Sequence, residues 1–231
     1  MSRQQRLFRR LHGFSGGSDP LGVINPLNLL HLEQYFDSTM GLSGVADGGN
    51  VNPWPDQSGN GRHMINQVFG TVPVLHRTGT KISANGSPTV EFNGVNTSMR
   101  AVITPDPGQS RGMTFIHYGR FRDSTAGFGC SVPWEGGTNR EPQLLLENDA
   151  PEQKIGWRDL VATRKGAKQT FPFYGSVVWR FTQPNVGEVF VNGVNVLTDV
   201  WTPSGATDTI VDMGCNASGN CVQNADWCAW L

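Results

Sequence analysis

From residue 51 onward, short runs of alternating apolar and polar residues dominate the chain. The clearest is segment 176–182, in which Val177, Trp179 and Phe181 share one face and mostly polar residues occupy the other. A period of two residues is typical of a strand that buries one of its faces. Similar segments lie at residues 113–121, 142–147, 154–160 and 207–213. Because convincing helical periodicity is almost absent, the pattern predicts an all-β sandwich or jelly roll.

Two Asn-Gly pairs follow apolar, β-branched runs. Asn93-Gly94 follows residues 89–92, and Asn192-Gly193 follows residues 187–191. Asn-Gly favours a two-residue hairpin turn, because both central residues of that turn take positive φ. The sequence therefore predicts a β-hairpin at each pair.

Residues 1–19 differ from the rest of the chain. Apolar residues recur there at helical spacing among arginines, and Gly16-Gly17-Ser18 then predicts a flexible joint. We expect either a disordered tail or an arm that docks on a neighbouring subunit, with a membrane-surface helix or an organelle presequence as further alternatives. The residues of the docking arm would be Arg3, Arg6, Leu7, Phe8, Arg9, Arg10 and Leu11. This divides the chain into an arm with its joint, residues 1–19, and a β-domain, residues 20–231.

Charge is unevenly distributed along the chain. The formal net charge is −1, and the first ten residues contribute +4, which leaves −5 on residues 11–231. A mildly acidic body argues against nucleic-acid binding by the body, because such binding requires a basic face. No apolar run approaches the length of a transmembrane helix, so no membrane span is predicted.

The four cysteines are Cys130, Cys215, Cys221 and Cys228. They form no CxxC pair, and no histidine lies among the last three, which argues against zinc. The even count permits disulfides, and Cys215–Cys221 across a short Gly/Asn loop would close most easily. Because the N-terminus has no apolar core typical of a secretory leader, reduced thiols are the expected state.

Motifs at residues 51–61, 86–94 and 190–193 have the sequences VNPWPDQSGNG, GSPTVEFNG and FVNG. In order and content they resemble laminin-G-like, concanavalin A-like jelly-roll domains, and residues 35–38 resemble the first strand of that family. The resemblance covers roughly residues 30–231 and implies a concanavalin A-like jelly-roll β-sandwich behind a short N-terminal arm. Family members usually continue beyond their last strand, whereas this sequence ends inside it. We therefore expect a minimal domain, or a partner that completes this edge, which favours a homo-oligomer.

Asp56, Ser58 and Asn60 lie in the first of these motifs. Their side chains can bond to nearby backbone groups and stabilise a turn. Alternatively, oxygen atoms at these positions could converge on calcium, but a single carboxylate supplies few of the six or more ligands required. We predict a structural turn and no metal site, with calcium as the alternative.

Glycan-cleaving enzymes of this fold carry a Glu-x-Asp-x-x-Glu pattern on one strand, and residues 147–152 match that spacing. Catalysis requires both carboxyl groups on one face of a continuous strand. Asn148 and Pro151 are expected to interrupt such a strand and form a turn. The sequence therefore predicts no catalytic site.

A glycan-binding surface is the favoured alternative to catalysis. Trp134 and Trp157 have polar or glycine neighbours, and an exposed indole beside amide and guanidinium donors suits a sugar ring. The candidate carbohydrate-binding residues are Trp134, Asn139, Arg140 and Trp157. The competing interpretation is that these rings fill the sandwich, as Trp179 is expected to do.

These observations predict a non-enzymatic structural or adhesion protein of a larger assembly. The family resemblance favours a phage virion component, as a capsid decoration, head fibre or tail appendage, assembled in the host cytoplasm. Other virion or assembly proteins would bind the arm, and a glycan would bind the jelly roll. The alternatives are a glycan-degrading enzyme of the same fold and an extracellular, calcium-dependent lectin.

Overall fold

The chain folds into fifteen β-strands over the residues that the computed structural model describes. Those residues are 32, 34–66, 71–83, 86–93, 96–102, 113–122, 131–133, 143–149, 152–159, 162–170, 172–182, 185–202, 210–213 and 224–230. The strands of the first half are β1 (Phe36–Asp37), β2 (Ile65–Asn66), β3 (Val74–His76), β4 (Thr89–Asn93), β5 (Met99–Val102), β6 (Met113–Phe121) and β7 (Ser131–Pro133). The second half contributes β8 (Gln143–Asp149), β9 (Glu152–Arg158), β10 (Thr163–Gln169), β11 (Phe173–Thr182), β12 (Val186–Val191), β13 (Val194–Val200), β14 (Ile210–Met213) and β15 (Asn224–Trp230). A short 3-10 turn spans Gly79–Lys81.

Three sheets build the sandwich. The large sheet has the order β13-β12-β11-β6-β15-β4-β3, and β1 joins it by pairing with β15. A four-stranded sheet has the order β2-β5-β14-β7, and a three-stranded sheet has the order β10-β9-β8. One core cluster joins residues of all three sheets, among them Trp179, Met99 and Trp157. This arrangement confirms the predicted all-β sandwich.

The predicted alternation in residues 176–182 is confirmed in β11. Val177, Trp179 and Phe181 are buried, and the residues between them are half-buried or exposed. The hairpin at Asn192-Gly193 is also confirmed. There Val191 pairs with Val194, and both turn residues have positive φ, 50° and 81°.

The hairpin predicted at Asn93-Gly94 is wrong. β4 pairs with β3 and β15 in the large sheet, whereas β5, the next strand along the chain, pairs with β2 and β14 in the four-stranded sheet. The Asn93 side chain stabilises this crossing, because its Oδ1 accepts hydrogen bonds from the backbone N–H groups of Asn96 and Thr97. Asparagine thus closes a local loop here without joining two neighbouring strands.

The last strand is not an open edge, which corrects the expectation that a partner completes it. β15 lies inside the large sheet and pairs with β6 along one side. Its other side is shared by β4, which pairs with Asn224–Trp227, and by β1, which pairs with Ala229 and Trp230. A backbone paired on both sides offers no free ladder for another strand.

The large sheet and the three-stranded sheet belong to opposite layers of the sandwich, and two tryptophans join these layers. Trp179 of β11 donates a hydrogen bond from its indole Nε1 across the core to the carbonyl oxygen of Gly156 in β9, at 2.8 Å. Trp157 of β9 meets the ring of Phe181 edge-on, with 5.6 Å between centroids. Its indole also packs so tightly on β12 that a Cβ atom at Gly187 would lie 2.6 Å from the ring. Glycine at position 187 therefore lets the layers approach each other.

His117, on the inner side of β6, is part of this packing. It is fully buried and lies 5.0 Å from the Trp179 ring, edge to face. Burial lowers the pKa of His117 to about 3, because an imidazolium ion would lose its hydration. The side chain is accordingly neutral at physiological pH.

We predict that Gly187→Ala lowers the free energy of unfolding by about 1–3 kcal/mol, because the added methyl group overpacks the Trp157 ring. Denaturant unfolding measures this change. Gly44→Ala is the matched control, since a Cβ atom there meets nothing within 4 Å, and its effect should stay within about 0.5 kcal/mol. Equal stability of both variants would contradict the tight packing of Trp157 on β12.

Candidate functional site

Of the four residues predicted to bind carbohydrate, the described structure includes only Trp157. Its side chain is completely buried between the layers, so no indole face is available to a sugar. The prediction of an exposed platform is wrong for Trp157, and the competing interpretation as a core residue is confirmed. The other three candidates lie outside the described residues: Trp134, Asn139 and Arg140. The predicted docking-arm residues lie outside them as well: Arg3, Arg6, Leu7, Phe8, Arg9, Arg10 and Leu11.

The loop that contains Asp56 is organised by that carboxylate. Oδ1 accepts hydrogen bonds from the backbone N–H groups of Tyr35 and Ser58, at 3.0 and 2.9 Å. Oδ2 accepts from the Ser58 hydroxyl and from the backbone N–H of Arg62, at 2.7 and 3.1 Å. Asn60 donates from its side chain to the carbonyl oxygen of Leu32. Both carboxylate oxygens are thus engaged by the protein, which favours the structural turn over calcium.

The Glu147–Glu152 pattern is split between two strands. β8 continues through Asn148 to Asp149, two residues further than predicted, and β9 begins at Glu152. In the hairpin register, Glu147 pairs with Lys154 and Asp149 pairs with Glu152. The pattern therefore does not lie on a continuous strand, which is the arrangement that catalytic pairs of this kind require.

The outer face of the large sheet carries an unusual set of aromatic and charged side chains. Inward residues of β6, β11 and β12 fill the core, and the alternate residues point away from it. We define the outer face by these alternate residues: Thr114, Ile116, Tyr118, Arg120, Tyr174, Ser176, Val178, Arg180, Glu188 and Phe190. Most of them are half-buried or exposed, so the face offers both apolar and polar contacts to a ligand.

At one end of the outer face, Arg180 and Glu188 form an ion pair across β11 and β12. The two shortest contacts join Glu188 Oε2 to Arg180 Nη2 and Nε, at 2.6 and 2.7 Å. The guanidinium carbon lies 5.1 Å from the centroid of the Phe190 ring. The Asn195 amide contacts Glu188 Oε1 at 3.5 Å and donates to the Thr198 hydroxyl at 3.0 Å. Donors and acceptors in fixed positions therefore surround one half-buried ring.

Further along the face, Tyr118 and Tyr174 meet edge to face, with 5.4 Å between ring centroids. Tyr118 is buried beside Tyr35, whereas Tyr174 is partly exposed. All three tyrosines of the protein belong to this cluster. Tyr174 consequently offers a second aromatic contact on the same surface.

A buried carboxylate lies under this tyrosine cluster. The Tyr35 hydroxyl donates to Asp37 Oδ2 at 2.7 Å, and the Thr39 backbone N–H and hydroxyl donate to Oδ1. Burial raises the pKa of the Asp37 carboxyl above its ordinary value, although these hydrogen bonds oppose the shift. Asp37 is completely buried, so this carboxyl group is inaccessible to a ligand. Its hydrogen bond with Tyr35 holds the tyrosine cluster in position.

Beyond this end of the outer face, in the same row of the sheet as Arg120, Glu91 of β4 contacts three basic side chains. Lys81 Nζ, His76 Nε2 and Arg122 Nη2 contact its carboxylate oxygens at 2.6, 2.7 and 3.0 Å. Burial alone would raise the pKa of Glu91, but the hydrogen bonds from Lys81, His76 and Arg122 outweigh it and lower the pKa to about 2. Glu91 is therefore ionised at physiological pH and holds the basic residues on the sheet.

The sequence signal for the outer face lies in the alternation of β11 and not in the tryptophans. Alternation in β11 assigned Arg180 and Ser176 to the face opposite the core residues, where half-exposed side chains are expected. The partners of Arg180 are Glu188 and Phe190 of the neighbouring strand β12, eight and ten residues away in sequence. The contacts of Arg180 with Glu188 and Phe190 could therefore be identified only from the sheet register.

No protein-family model matches the chain, and no relative was found among curated proteins. Within the described ranges, none of the helical segments has the length and hydropathy that crossing a bilayer requires.

Solved structures show the fold. Domain 4 of AbnA, an extracellular GH43 arabinanase from Geobacillus stearothermophilus in complex with arabinotriose, is 10% identical, with a TM-score of 0.57 over 86% of this chain and 90% of that domain. A Trypanosoma rangeli sialidase in complex with the inhibitor DANA is 11% identical, with a TM-score of 0.60 over 98% of this chain, which spans 34% of the sialidase. The binding domain of Paraclostridial Mosquitocidal Protein 1 is 11% identical, with a TM-score of 0.50 over 79% and 47% of the two chains. This chain is thus an all-β sandwich of the jelly-roll type.

We predict that Asp56→Ala lowers the free energy of unfolding by about 1–3 kcal/mol, because buried backbone N–H groups lose their acceptor. Asp199→Ala, which removes a half-exposed carboxylate, is the control and should change stability by less than about 0.5 kcal/mol. Addition of EDTA should leave the Tm of the unaltered protein unchanged. A chelator-induced fall in Tm would support calcium in this loop.

Proposed function

We propose that the protein is a non-enzymatic glycan-binding module, and that the outer face of the large sheet is its binding surface. The observation that carries the proposal is the grouping of two half-buried rings, Phe190 and Tyr174, with the hydrogen-bonding side chains of Arg180, Glu188 and Asn195. A sugar ring presents C–H groups on its faces and hydroxyl groups around its rim. It is therefore recognised by an apolar contact combined with directional donors and acceptors.

The rigidity of this surface supports the proposal. The side chains project from paired strands, so their spacing is fixed by the sheet register and not by loops. Groups held in place before binding lose little entropy when a ligand binds. The structural neighbours add support from analogy of fold, since one of them was solved in complex with arabinotriose.

A glycan array tests the proposal directly. The unaltered protein should bind a defined set of oligosaccharides, and Phe190→Ala and Tyr174→Ala should each weaken that binding about tenfold or more, because each removes an aromatic contact with the sugar. Ile65→Ala is the matched control: Ile65 is 55% exposed and lies in the four-stranded sheet.

Two results would overturn this function. Absence of binding to any oligosaccharide would exclude a glycan-binding module. Release of shorter products from bound oligosaccharides, with loss of release in a Glu147→Gln, Glu152→Gln variant, would show a glycan-degrading enzyme instead.

The finer proposal is that this module belongs to a larger assembly, as a phage virion component with residues 1–19 as its tether. The separation of a basic segment, whose first ten residues contain no acid, from an acidic domain supports it, because the segment has no apolar core of its own and gains most by docking on another subunit. The resemblance to jelly-roll domains of virion and bacterial surface proteins supports the same assignment.

Light scattering of the full chain and of residues 20–231, each mixed with candidate assembly partners, tests the tether. We expect only the full chain to enter a larger particle. A full chain with Arg3, Arg6, Arg9 and Arg10 changed to Gln should bind more weakly and lose its dependence on salt. Identical monomeric behaviour of all three proteins would contradict the virion assignment and leave a free lectin.

A further inference from the structure

We propose that Arg120 and Tyr174 form a subsite for the negatively charged group of an acidic glycan, a carboxylate or a sulfate. This inference rests on the proposed glycan-binding function of the outer face and names the class of sugar that the face selects. Arg120 of β6 and Tyr174 of β11 are directly paired in the sheet register, so their side chains share one row of the outer face. Both are partly exposed.

Arg120 is available to an anion. Its Nη1 donates one hydrogen bond to the carbonyl oxygen of Thr80, at 3.2 Å, which fixes the guanidinium over the sheet. No ion pair joins Arg120 to a carboxylate among the side chains that the structure describes. A guanidinium retains four further N–H groups after one donation, and its planar arrangement matches the oxygens of a carboxylate or sulfate.

The nearest described carboxylate, Glu91, does not compete for Arg120. Its oxygens contact Lys81 and Arg122, at 2.6 and 3.0 Å, and Arg120 is not among its partners. Arg120 therefore places a guanidinium at this end of the face, on a domain whose residues 11–231 carry −5 in total.

At the opposite end of the outer face, the guanidinium group is already paired with a carboxylate. Arg180 lies there against Glu188, and this close pair compensates its own charges. An acidic sugar that spans the face would accordingly orient its charged group toward Arg120 and a neutral part toward Phe190. Tyr174, beside Arg120, would contact the ring that carries the charged group.

The test is an array of matched oligosaccharides: lactose with 3′-sialyllactose and 3′-sulfolactose, and trigalacturonic acid with its methyl ester. We expect the charged members to bind about tenfold more tightly than their neutral partners, because a charge-assisted hydrogen bond adds to the same ring contacts. This advantage should shrink as salt is raised from 50 to 500 mM. Preference for the sialylated or for the sulfated form identifies the anionic group.

Variants assign the preference to Arg120. Arg120→Gln should bring charged and neutral members within about threefold of each other while neutral binding is retained. Lys168→Gln, which removes one exposed cation from the three-stranded sheet, is the matched control and should keep the preference. Thermal melting checks that each variant is folded.

The outcomes separate this inference from the proposed function. Binding of neutral and charged members with equal affinity, or a preference that survives Arg120→Gln, would overturn the acidic subsite and leave the glycan-binding function standing. Failure of the unaltered protein to bind any member of the glycan array would overturn both.

Discussion

The contact between Trp157 and Gly187 sets the distance between the two layers of the sandwich. The Trp157 indole occupies the space that a side chain at position 187 of β12 would fill. Trp179 of β11 donates a hydrogen bond from its indole N–H to the Gly156 carbonyl oxygen in the opposite layer. The first contact requires glycine at position 187, because a Cβ atom there would lie 2.6 Å from the indole ring and would push the layers apart. Interiors packed at this density respond to single methyl groups, so the two contacts restrict the packing of the neighbouring inward residues of β11 and β12.

That constraint explains why the outer face is suited to binding. The Trp157–Gly187 and Trp179–Gly156 contacts hold the inward residues of β11 and β12 in place. The backbone of these strands is thereby fixed, and so are the positions of their outward residues. Phe190, Arg180 and Glu188 therefore meet without help from a loop. The tyrosine cluster is also fixed by a buried group, since the Tyr35 hydroxyl donates a hydrogen bond to the Asp37 carboxylate. A surface built on strands in this manner is stiff, which is what the proposed glycan-binding function requires.

The sequence predicted those features of the fold that depend on neighbouring residues, namely a strand with one buried face and a tight turn. Alternation located β11 and its buried residues, and Asn192-Gly193 specified a turn whose backbone needs positive φ. Pairing between distant strands lay beyond such patterns: Asn93-Gly94 has the same sequence signal but connects two different sheets, and β15 lies between β4 and β6. Glycine beside Trp157 favours an exposed indole in the sequence, whereas in the structure Gly156 allows close approach of β10, where a Cβ atom would meet the Arg164 carbonyl oxygen. The charged strand β10 was missed because it shows little alternation.

Mapping of backbone amide chemical shifts during titration with a bound oligosaccharide tests the central claim most directly. If the outer face binds the glycan, the perturbed amides will cluster in β6, β11 and β12, with the largest changes beside Phe190, Arg180 and Tyr174. Amides of the three-stranded and four-stranded sheets will remain unperturbed, because the packed core separates them from the ligand. Perturbations confined to those smaller sheets, or to the Asp56 loop, would contradict the account and place the site on another surface of the sandwich.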